Sequence, residues 1–443
     1  MSHLKHIIPR VFEPQIHRAL ARDRVVVLTG ARQTGKTTVL DRLEKQAPDD
    51  KPVLRFNLDR MSLRSKLEEP GRDRLIEEVE GRLRSPITEF NGKALILIDE
   101  AQKLPSIFEQ VKILHDEGGE RFEIVITGSS ALDIMDRSAE SLAGRTHRIQ
   151  VNAFTLEEAM NLIDGVSREY RVPEFIEKLV MGELTEEFLG DWESDRRYRR
   201  QRFVERLPDF LLTGLMPGVL CESDIAARFD LLSNYKDTYV DHDVRQLGSV
   251  ADLGGFDRLI GLLASQAPGI LVKQTLSKGT RLNGHTVDRY LSILQQTFII
   301  DMLQPWRSNH GARLVKRPKI YFRDNGMMNL LLGISSTEML KVSGKRGVLF
   351  ETLVHSELTN YLVNRSLPTS LHFWRTHSGA EVDFVISAAG GLILVEAKSG
   401  SRAQKKLKPG LLDRSVRATH VVFGGEATSK MGNVRMTPAW YLS

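Results

Sequence analysis

The segment GARQTGKTT, residues 30–38, constrains the fold of this 443-residue chain more than any other feature. It fits the pattern G-x-x-x-x-G-K-[ST] and directly follows the apolar run VVVLT, which predicts a buried strand. Glycines at positions 30 and 35 let the backbone curl until its N–H groups face phosphate oxygens. The helix predicted after the loop adds its positive N-terminal end. The segment therefore predicts a nucleotide-binding α/β unit.

The predicted nucleotide-binding residues form one continuous loop. They are Gly30, Ala31, Arg32, Gln33, Thr34, Gly35, Lys36, Thr37 and Thr38. Lys36 is expected to act catalytically by neutralising charge on the β- and γ-phosphates of ATP, and the Thr37 hydroxyl to ligate Mg²⁺.

A pair of acids follows another apolar run, ALILIDEAQ. Asp99 is predicted to hold Mg²⁺, and Glu100 to orient or deprotonate the attacking water. Taken alone, two acids after a strand also suit a helix cap or a surface turn. Further along, Thr127, Ser129 and Ser130 are candidates for sensing the γ-phosphate, although small hydroxyls in an ordinary turn explain them equally well. Arg145 is a candidate arginine finger or a plain surface arginine.

The order of GARQTGKTT, LIDEAQ, TGSSA and LAGR resembles the AAA-type P-loop ATPases. More closely, it resembles a prokaryotic family whose C-terminal region is classed as a domain of unknown function. The stretches YKDTYVDHDV, TVDRYLSILQQTFII, PKIYFRDNGMMNLLL and GAEVDFVI are similar to that second region. The resemblance implies ATP and Mg²⁺ as cofactors and leaves the biological role open.

Alternating strands and helices divide the chain into four expected parts. Strands are predicted at 25–28, 53–58, 94–99 and 122–127, in a parallel sheet with helices outside. The expected domains are an AAA-type P-loop ATPase core (1–153), a helical region (154–250), a winged-helix domain (251–335) and an α/β restriction-endonuclease-like domain (336–443). The run DRRYRRQR (195–202) is interpreted as a solvated helix face, with phosphate contact as the alternative.

Helical spacing in NGHTVDRYLSILQQTF predicts a helix with an apolar inner face and a polar outer face. Neighbouring helices and two later strands complete a predicted helix-turn-helix with a wing, a fold whose second helix can enter a major groove. Such folds also dock proteins, so both uses stay open. The tentative DNA-binding residues are Arg289, Arg313, Lys316 and Arg317, with Lys319 also assigned to the wing.

The run VEAKSG, residues 395–400, ends a strand with Glu396 and Lys398, which share one face of that strand. Asp383 lies on the preceding predicted strand, and a hairpin turn would bring it beside Glu396. The two carboxylates are predicted to bind Mg²⁺ or Mn²⁺, while Lys398 acts on the attacking water. Glu351, on a preceding helix, is a further predicted catalytic residue. The alternative is a passing charged patch at a strand end.

The spacing D-x₁₂-E-x-K resembles the PD-(D/E)xK nuclease superfamily, and WRTHSGAEVDF is similar to its resolvase-type members. That resemblance implies a nuclease-like fold and a potential metal-dependent deoxyribonuclease. Lys405, Lys406 and Lys408 lie near in sequence, where a phosphate backbone would pass. Asp324, followed by Asn-Gly, is interpreted as a helix start without a catalytic role.

Composition limits the partners. A net charge of +5 permits a nucleic-acid partner without requiring one. A single cysteine, Cys221, interpreted as a small buried hydrophobe, excludes an internal disulfide and favours the cytoplasm. Because no run approaches about 18 apolar residues, no membrane partner is expected. We therefore expect an ATPase that acts on DNA. The alternative is a nucleotide-switched interaction or remodelling ATPase with an inactive nuclease-like scaffold, and a homo-oligomer or protein partner is compatible with either.

Overall fold

The computed structural model describes most of the chain. The described residues are 8–69, 73–128, 142–166, 170–239, 252–306, 317–364, 369–377, 379–388, 390–400, 416–426, 428–431 and 434–443. They form two compact units. The first comprises Met1–Asn152 with the short segment Gln296–Phe298, and the second Ala153–Gln295 with Ile299–Ser443.

The first unit is built on a parallel five-stranded sheet. Its strands are β1 (Val25–Thr29), β2 (Val53–Asn57), β3 (Ala94–Asp99), β4 (Phe122–Gly128) and β5 (Thr146–Gln150), in the order β2-β3-β4-β1-β5. Its helices are α1 (Glu13–Leu20), α2 (Lys36–Gln46), α3 (Met61–Glu68), α4 (Arg74–Leu83) and α5 (Ile107–Gly118). This is the P-loop NTPase architecture that the sequence predicts, and the four predicted strands are confirmed.

Alternation along the strands places a separate apolar core on each face of this sheet. Val25 and Val27 pack into one cluster, whereas Val26 and Leu28 pack into the other. Successive side chains of a strand point to opposite faces, so a run of apolar residues is what a sheet covered on both sides requires. The polar edge strand β5 (THRIQ) lacks such a run, and the sequence did not predict it.

The second unit begins with helices. They are α6 (Leu156–Asp164), α7 (Val172–Met181), α8 (Glu186–Thr213), α9 (Pro217–Leu220) and α10 (Ile225–Thr238).

The interpretation of DRRYRRQR as a solvated helix face is wrong for two of its arginines. Arg196 and Arg199 of α8 are buried. Arg196 donates to Glu157 at 2.6 Å, and Arg199 lies 3.4 Å from Asp164 of α6. A buried guanidinium must be paired to offset its lost hydration. These arginines therefore connect helices.

The middle of the second unit alternates helices with short strands. They are α11 (Leu253–Gln266), β6 (Gly269–Ile270), α12 (Lys273–Thr280), α13 (Gly284–Gln296), β7 (Ile300–Leu303) and β8 (Lys319–Phe322). The three strands form an antiparallel sheet in the order β6-β8-β7. The helices and strands predicted here are present, and β6, only two residues long, was not predicted.

A second sheet completes this unit. The helices before it are α14 (Asn325–Leu332), α15 (Thr337–Val342) and α16 (Arg346–Val363). The strands are β9 (Ser370–Arg375), β10 (Glu381–Ala388), β11 (Gly391–Lys398), β12 (Val416–Phe423), β13 (Ser429–Met431) and β14 (Val434–Pro438), in the order β13-β14-β12-β11-β10-β9. Three of these strands, β9 to β11, were predicted.

The structure agrees with the interpretation of Asp324 as a helix start, but it disagrees with that of Cys221 as a buried residue. Asp324 is the N-cap of α14, where its side chain accepts from Gly326 N at 2.8 Å and from Leu215 N at 2.7 Å, as a helix start requires. Burial raises its pKa to about 6. Cys221, expected to be buried, is exposed, because it lies just past the end of α9.

Among the described residues, no helix is long and apolar enough to span a bilayer.

Candidate functional site

The phosphate loop connects β1 to α2 with an unusual backbone. Gly35 has φ = 90°, a left-handed conformation that glycine adopts without steric cost. A Cβ at Gly30 would lie 2.0 Å from the carbonyl oxygen of Val151, so only glycine fits there. Both glycines of the pattern are thus required by the geometry of the loop.

Lys36, the first residue of α2, is buried beneath this loop. Its Nζ donates to the carbonyl oxygens of Gly30 at 2.9 Å and of Ala31 at 2.6 Å. These carbonyls hold the ammonium group within the curve of the loop. A phosphate bound there would offer stronger, charged acceptors to the same group.

Thr37 and Asp99 meet although they are 62 residues apart in sequence. The Thr37 hydroxyl donates to Asp99 Oδ2 at 3.0 Å, and the Thr127 hydroxyl donates to Asp99 Oδ1. Parallel pairing of β3 with β4, and of β4 with β1, brings the three side chains to the same edge of the sheet. One hydroxyl and one carboxylate fit Mg²⁺, which takes few protein ligands and keeps several waters.

Glu100 follows β3 in a left-handed conformation, with φ = 59° and ψ = 43°. Few residues other than glycine adopt this region, and such strain concentrates at functional sites. Its carboxylate accepts from Gln102 Nε2 at 2.6 Å, and its backbone N–H donates to the Thr127 hydroxyl at 3.3 Å. The strained backbone turns Glu100 out of the strand direction that Asp99 follows.

The other candidates of this unit are placed differently. Thr127 is fully buried and is bonded to Asp99, so its hydroxyl supports the acid in this structure. Ser129 and Ser130 lie outside the described residues. The Arg145 guanidinium pairs with Asp116, with N–O distances of 2.6 and 3.1 Å.

Two arginines at this site were not predicted. Arg55 of β2 places Nη2 3.6 Å from Asp99 Oδ2, and its Nη1 lies 3.2 Å from Glu44. Arg10 donates through Nη1 to the carbonyl oxygen of Thr34 at 2.8 Å and through Nη2 to that of Asn152 at 2.9 Å. No local pattern marks either residue, since each contact joins distant parts of the sequence.

Replacing Arg10 with alanine is expected to raise the KM for ATP by about tenfold or more, with a smaller effect on kcat. The physical reason is the loss of two charge-assisted hydrogen bonds, one to Thr34 of the loop and one to Asn152, which together tie the loop to the segment after β5. Steady-state ATPase kinetics measure this split, and Arg10→Lys should restore part of the loss. Arg18→Ala, at an exposed position of α1, is the control. An unchanged KM in a folded Arg10→Ala protein would exclude this role.

A second cluster lies where β10 and β11 pair as an antiparallel hairpin. Asp383 Oδ2 accepts from the backbone N–H of Ala397 at 2.9 Å. Lys398 Nζ donates to Glu396 Oε2 at 2.7 Å and lies 3.5 Å from Asp383 Oδ2. The hairpin thus brings Asp383, Glu396 and Lys398 together in the predicted arrangement.

Glu351 of α16 joins this cluster, together with residues that were not predicted there. Its Oε1 accepts from Lys319 Nζ at 2.8 Å and from Tyr321 Oη at 2.7 Å. The assignment of Lys319 to phosphate contacts on the wing is wrong, because its side chain is buried in ion pairs with Glu351 and Glu381. In β8, Lys319 and Tyr321 share one face, and that face is directed at the carboxylates.

Burial and like charge govern the electrostatics of this cluster. Burial, then the nearby Asp383 carboxylate, raises the pKa of Glu396 to about 7, although Lys398 opposes the shift. Burial acts to lower the pKa of Lys398, but Asp383 and Glu396 outweigh it and the net shift is upward. The pKa of Glu351 is raised by burial and by Asp383. The carboxylates are therefore crowded beyond what the neighbouring lysines neutralise.

No group of three or more His, Cys, Asp or Glu side chains within the described ranges is arranged to hold a metal ion. Asp383 and Glu396 form a two-carboxylate donor set instead. Mg²⁺ is commonly bound through one or two carboxylates with the remaining positions filled by water, so this pair fits such an ion. Lys405, Lys406 and Lys408 lie outside the described residues.

The outer face of α13 is exposed, as its spacing predicts. His285, Asp288, Arg289 and Ser292 are exposed, while Val287 and the other apolar side chains are buried. Asp288 pairs with Lys273 of α12 at 2.6 Å, so a cation accompanies its acidic charge on this face. Arg317 is exposed, whereas Arg313 and Lys316 lie outside the described residues.

Comparison with known protein families finds a match over the nucleotide site of the first unit. Residues 22–160 match a family model described as an AAA domain, over the span that holds the phosphate loop and the acid pair. The first unit thus has the P-loop NTPase fold and contains a segment that matches the AAA domains. Residues 204–338 and 346–442 match two models described as domains of unknown function (DUF8612 and DUF4143).

Similar proteins extend over most of the chain. An uncharacterized protein of Mycobacterium tuberculosis is 27% identical over 417 residues, which cover 93% of this chain and 79% of that protein. An uncharacterized protein of Haemophilus influenzae is 22% identical over 70% of each chain. Among solved structures, C. elegans PCH-2 is 16% identical and covers 65% of this chain and 71% of its own, with a TM-score of 0.31.

Proposed function

We propose that this chain hydrolyses ATP in its first unit and uses the nucleotide cycle to act on DNA through its second. The observation that carries the proposal is the meeting of Lys36, Thr37 and Asp99 around one loop. The phosphate-binding lysine and the two Mg²⁺-binding groups come from two separate strand ends, in the geometry that the AAA domain match leads one to expect.

Each residue has a distinct role in hydrolysis. Lys36 binds the β- and γ-phosphates, and the loop N–H groups orient them. Thr37 and Asp99 would hold Mg²⁺, which when bound neutralises phosphate charge. Glu100 orients the attacking water and accepts its proton at a carboxylate oxygen. Arg55 places its Nη2 3.6 Å from Asp99 Oδ2 and so adds a positive charge beside that carboxylate.

Action on DNA is supported by the middle of the second unit. The order α11, β6, α12, α13, β7, β8 is that of a winged helix, and α13 takes the place of the helix that enters a major groove. Its exposed face carries Arg289, and Arg317 is exposed just before β8. These two cations are suited to phosphate or base-edge contacts.

Arg289→Ala and Arg317→Ala are each expected to weaken DNA binding, and Arg317→Ala to reduce the slope of affinity against salt by about one. The slope falls because one fewer phosphate charge is neutralised. Fluorescence anisotropy with duplex and branched DNA over a salt series measures both effects. Lys341→Ala, at an exposed position of α15, is the control. Parental binding by both variants would remove this unit's helix and wing from the DNA contact.

A second candidate activity is phosphodiester cleavage at the C-terminal cluster. The observation that favours it is the convergence of Asp383, Glu396 and Lys398 with Glu351 from a separate helix. Asp383 and Glu396 would hold Mg²⁺ or Mn²⁺, which when bound stabilises charge on a phosphoryl oxygen. Lys398 would orient the attacking water. We propose that residues 336–443 form a nuclease-like domain in this sense.

A further inference from the structure

Lys319 is a buried lysine at the centre of the C-terminal cluster. Its Nζ lies 2.8 Å from Glu351 Oε1 and 2.6 Å from Glu381 Oε1. Its side chain is only 4% exposed. An ammonium ion stripped of water is tolerated when carboxylates surround it. Lys319 thus occupies the kind of carboxylate-lined position in which proteins place cations.

Glu351 is committed to this lysine and to a tyrosine. The oxygen that accepts from Lys319 also accepts from Tyr321 Oη at 2.7 Å. The Tyr321 ring stacks on His355 of α16, with centroids 4.1 Å apart and planes 3° from parallel. Stacking fixes the hydroxyl in place, so the carboxylate is held by two donors from β8.

Charge in the cluster favours a further cation. Four acids face it, namely Glu351, Glu381, Asp383 and Glu396, against the lysines at 319 and 398. Arg375 adds a third cation, 3.2 Å from Glu381. Glu351 lies near enough to Asp383 for the charge of that acid to add to burial in raising the pKa of Glu351, so its carboxylate is the candidate third oxygen donor, but Lys319 holds it.

We infer that Lys319 is a resident cation that competes with a divalent metal ion for Glu351. This inference rests on the proposed metal site of Asp383 and Glu396. With Lys319 bound to Glu351, the site offers two carboxylates. Without it, the site offers three and has one positive charge fewer. Because Lys319 belongs to β8, which pairs with β7 in the three-stranded sheet, the metal affinity of the cluster is tied to the position of that sheet.

The test is Mn²⁺ binding to the full chain without nucleotide, measured by isothermal titration calorimetry. Binding that is lost in Glu396→Gln is assigned to this site. Lys319→Met should bind Mn²⁺ about ten- to a hundredfold more tightly at it, since a charged hydrogen-bonding competitor is removed. Lys341→Met makes the same change in net charge at an exposed position and should bind like the parent.

The possible results distinguish failure of the Lys319 competition from failure of the proposed metal site. If a folded Lys319→Met binds Mn²⁺ no more tightly than a parent that shows Glu396-dependent binding, the competition is wrong and the proposed site stands. If neither protein shows Glu396-dependent binding, both are wrong. Should Lys319→Met fail to fold, Tyr321→Phe decides the question, because it frees Glu351 from one neutral donor and keeps the stacked ring. It should tighten binding about two- to tenfold, and unchanged binding would overturn the inference.

Discussion

Lys36→Ala is expected to abolish ATP hydrolysis, with a loss of at least about a hundredfold in kcat, and to weaken nucleotide binding. The Lys36 ammonium is held inside the loop by two carbonyl groups, at 2.9 and 2.6 Å, and alanine leaves no cation to meet the phosphates. Phosphate release and binding of a fluorescent nucleotide measure the two effects. Lys45→Ala, exposed in the last turn of the same helix, should behave like the parent.

Glu100→Gln should give a different defect in the same assays. The phosphate-binding groups survive in this variant, so ATP should bind with nearly parental affinity. Hydrolysis should nevertheless be slow, because an amide cannot accept the proton of the attacking water. Normal turnover by Glu100→Gln would show that another group acts as the base, while leaving the role of Lys36 untouched.

The second large effect concerns the C-terminal cluster. Asp383→Ala and Glu396→Ala should each stop the proposed DNA cleavage, since either change leaves one of the two carboxylates for the metal ion. Lys398→Ala should keep metal binding and lower the rate. ATP hydrolysis should persist in all three variants, because the phosphate loop belongs to the other unit. Labelled linear, nicked and branched DNA in Mg²⁺ or Mn²⁺, with Ca²⁺ as a poor substitute, provides the assay.

The same site should depend on pH. Glu396 has a pKa of about 7 in the folded protein, above its ordinary value, owing first to burial and then to Asp383. Its protonated form is therefore favoured by folding, and stability from this group falls as pH rises from the ordinary value through 7. Metal binding needs the ionised form, so cleavage should increase between pH 6 and 8. Identical products from the parent and Glu396→Ala would place any cleavage elsewhere.

The sequence predicted best where chemistry is local. The loop 30–38 and the two acids at the end of β3 are short patterns whose backbone and burial follow from adjacent residues. The hairpin that joins Asp383 to Glu396 was also predictable, because alternation and a short turn determine which faces meet. In each case the relevant partners lie on one strand or on neighbouring strands.

Contacts between distant segments were not predictable in this way. Arg10 and Asn152 are 142 residues apart, and Lys319 and Glu351 are 32 residues apart, on different elements. In the sequence, Lys319 lies among the basic residues of the predicted wing, where a phosphate contact is expected. Only the direction of β8 shows that its side chain faces carboxylates. Arg196 and Arg199 were misinterpreted for the same reason. A run of arginines suggests a solvated helix face, and the acids that pair with these two are distant in the sequence.

The ATPase rate of the full chain, with and without a panel of DNA structures, is the direct test of action on DNA. Duplex, nicked, branched and single-stranded DNA should be compared at low and high salt. We expect that at least one DNA structure changes the rate, that salt reduces the effect, and that Arg289→Ala diminishes it. Hydrolysis that is indifferent to every DNA at low salt but stimulated by a protein substrate would contradict action on DNA and favour a remodelling ATPase.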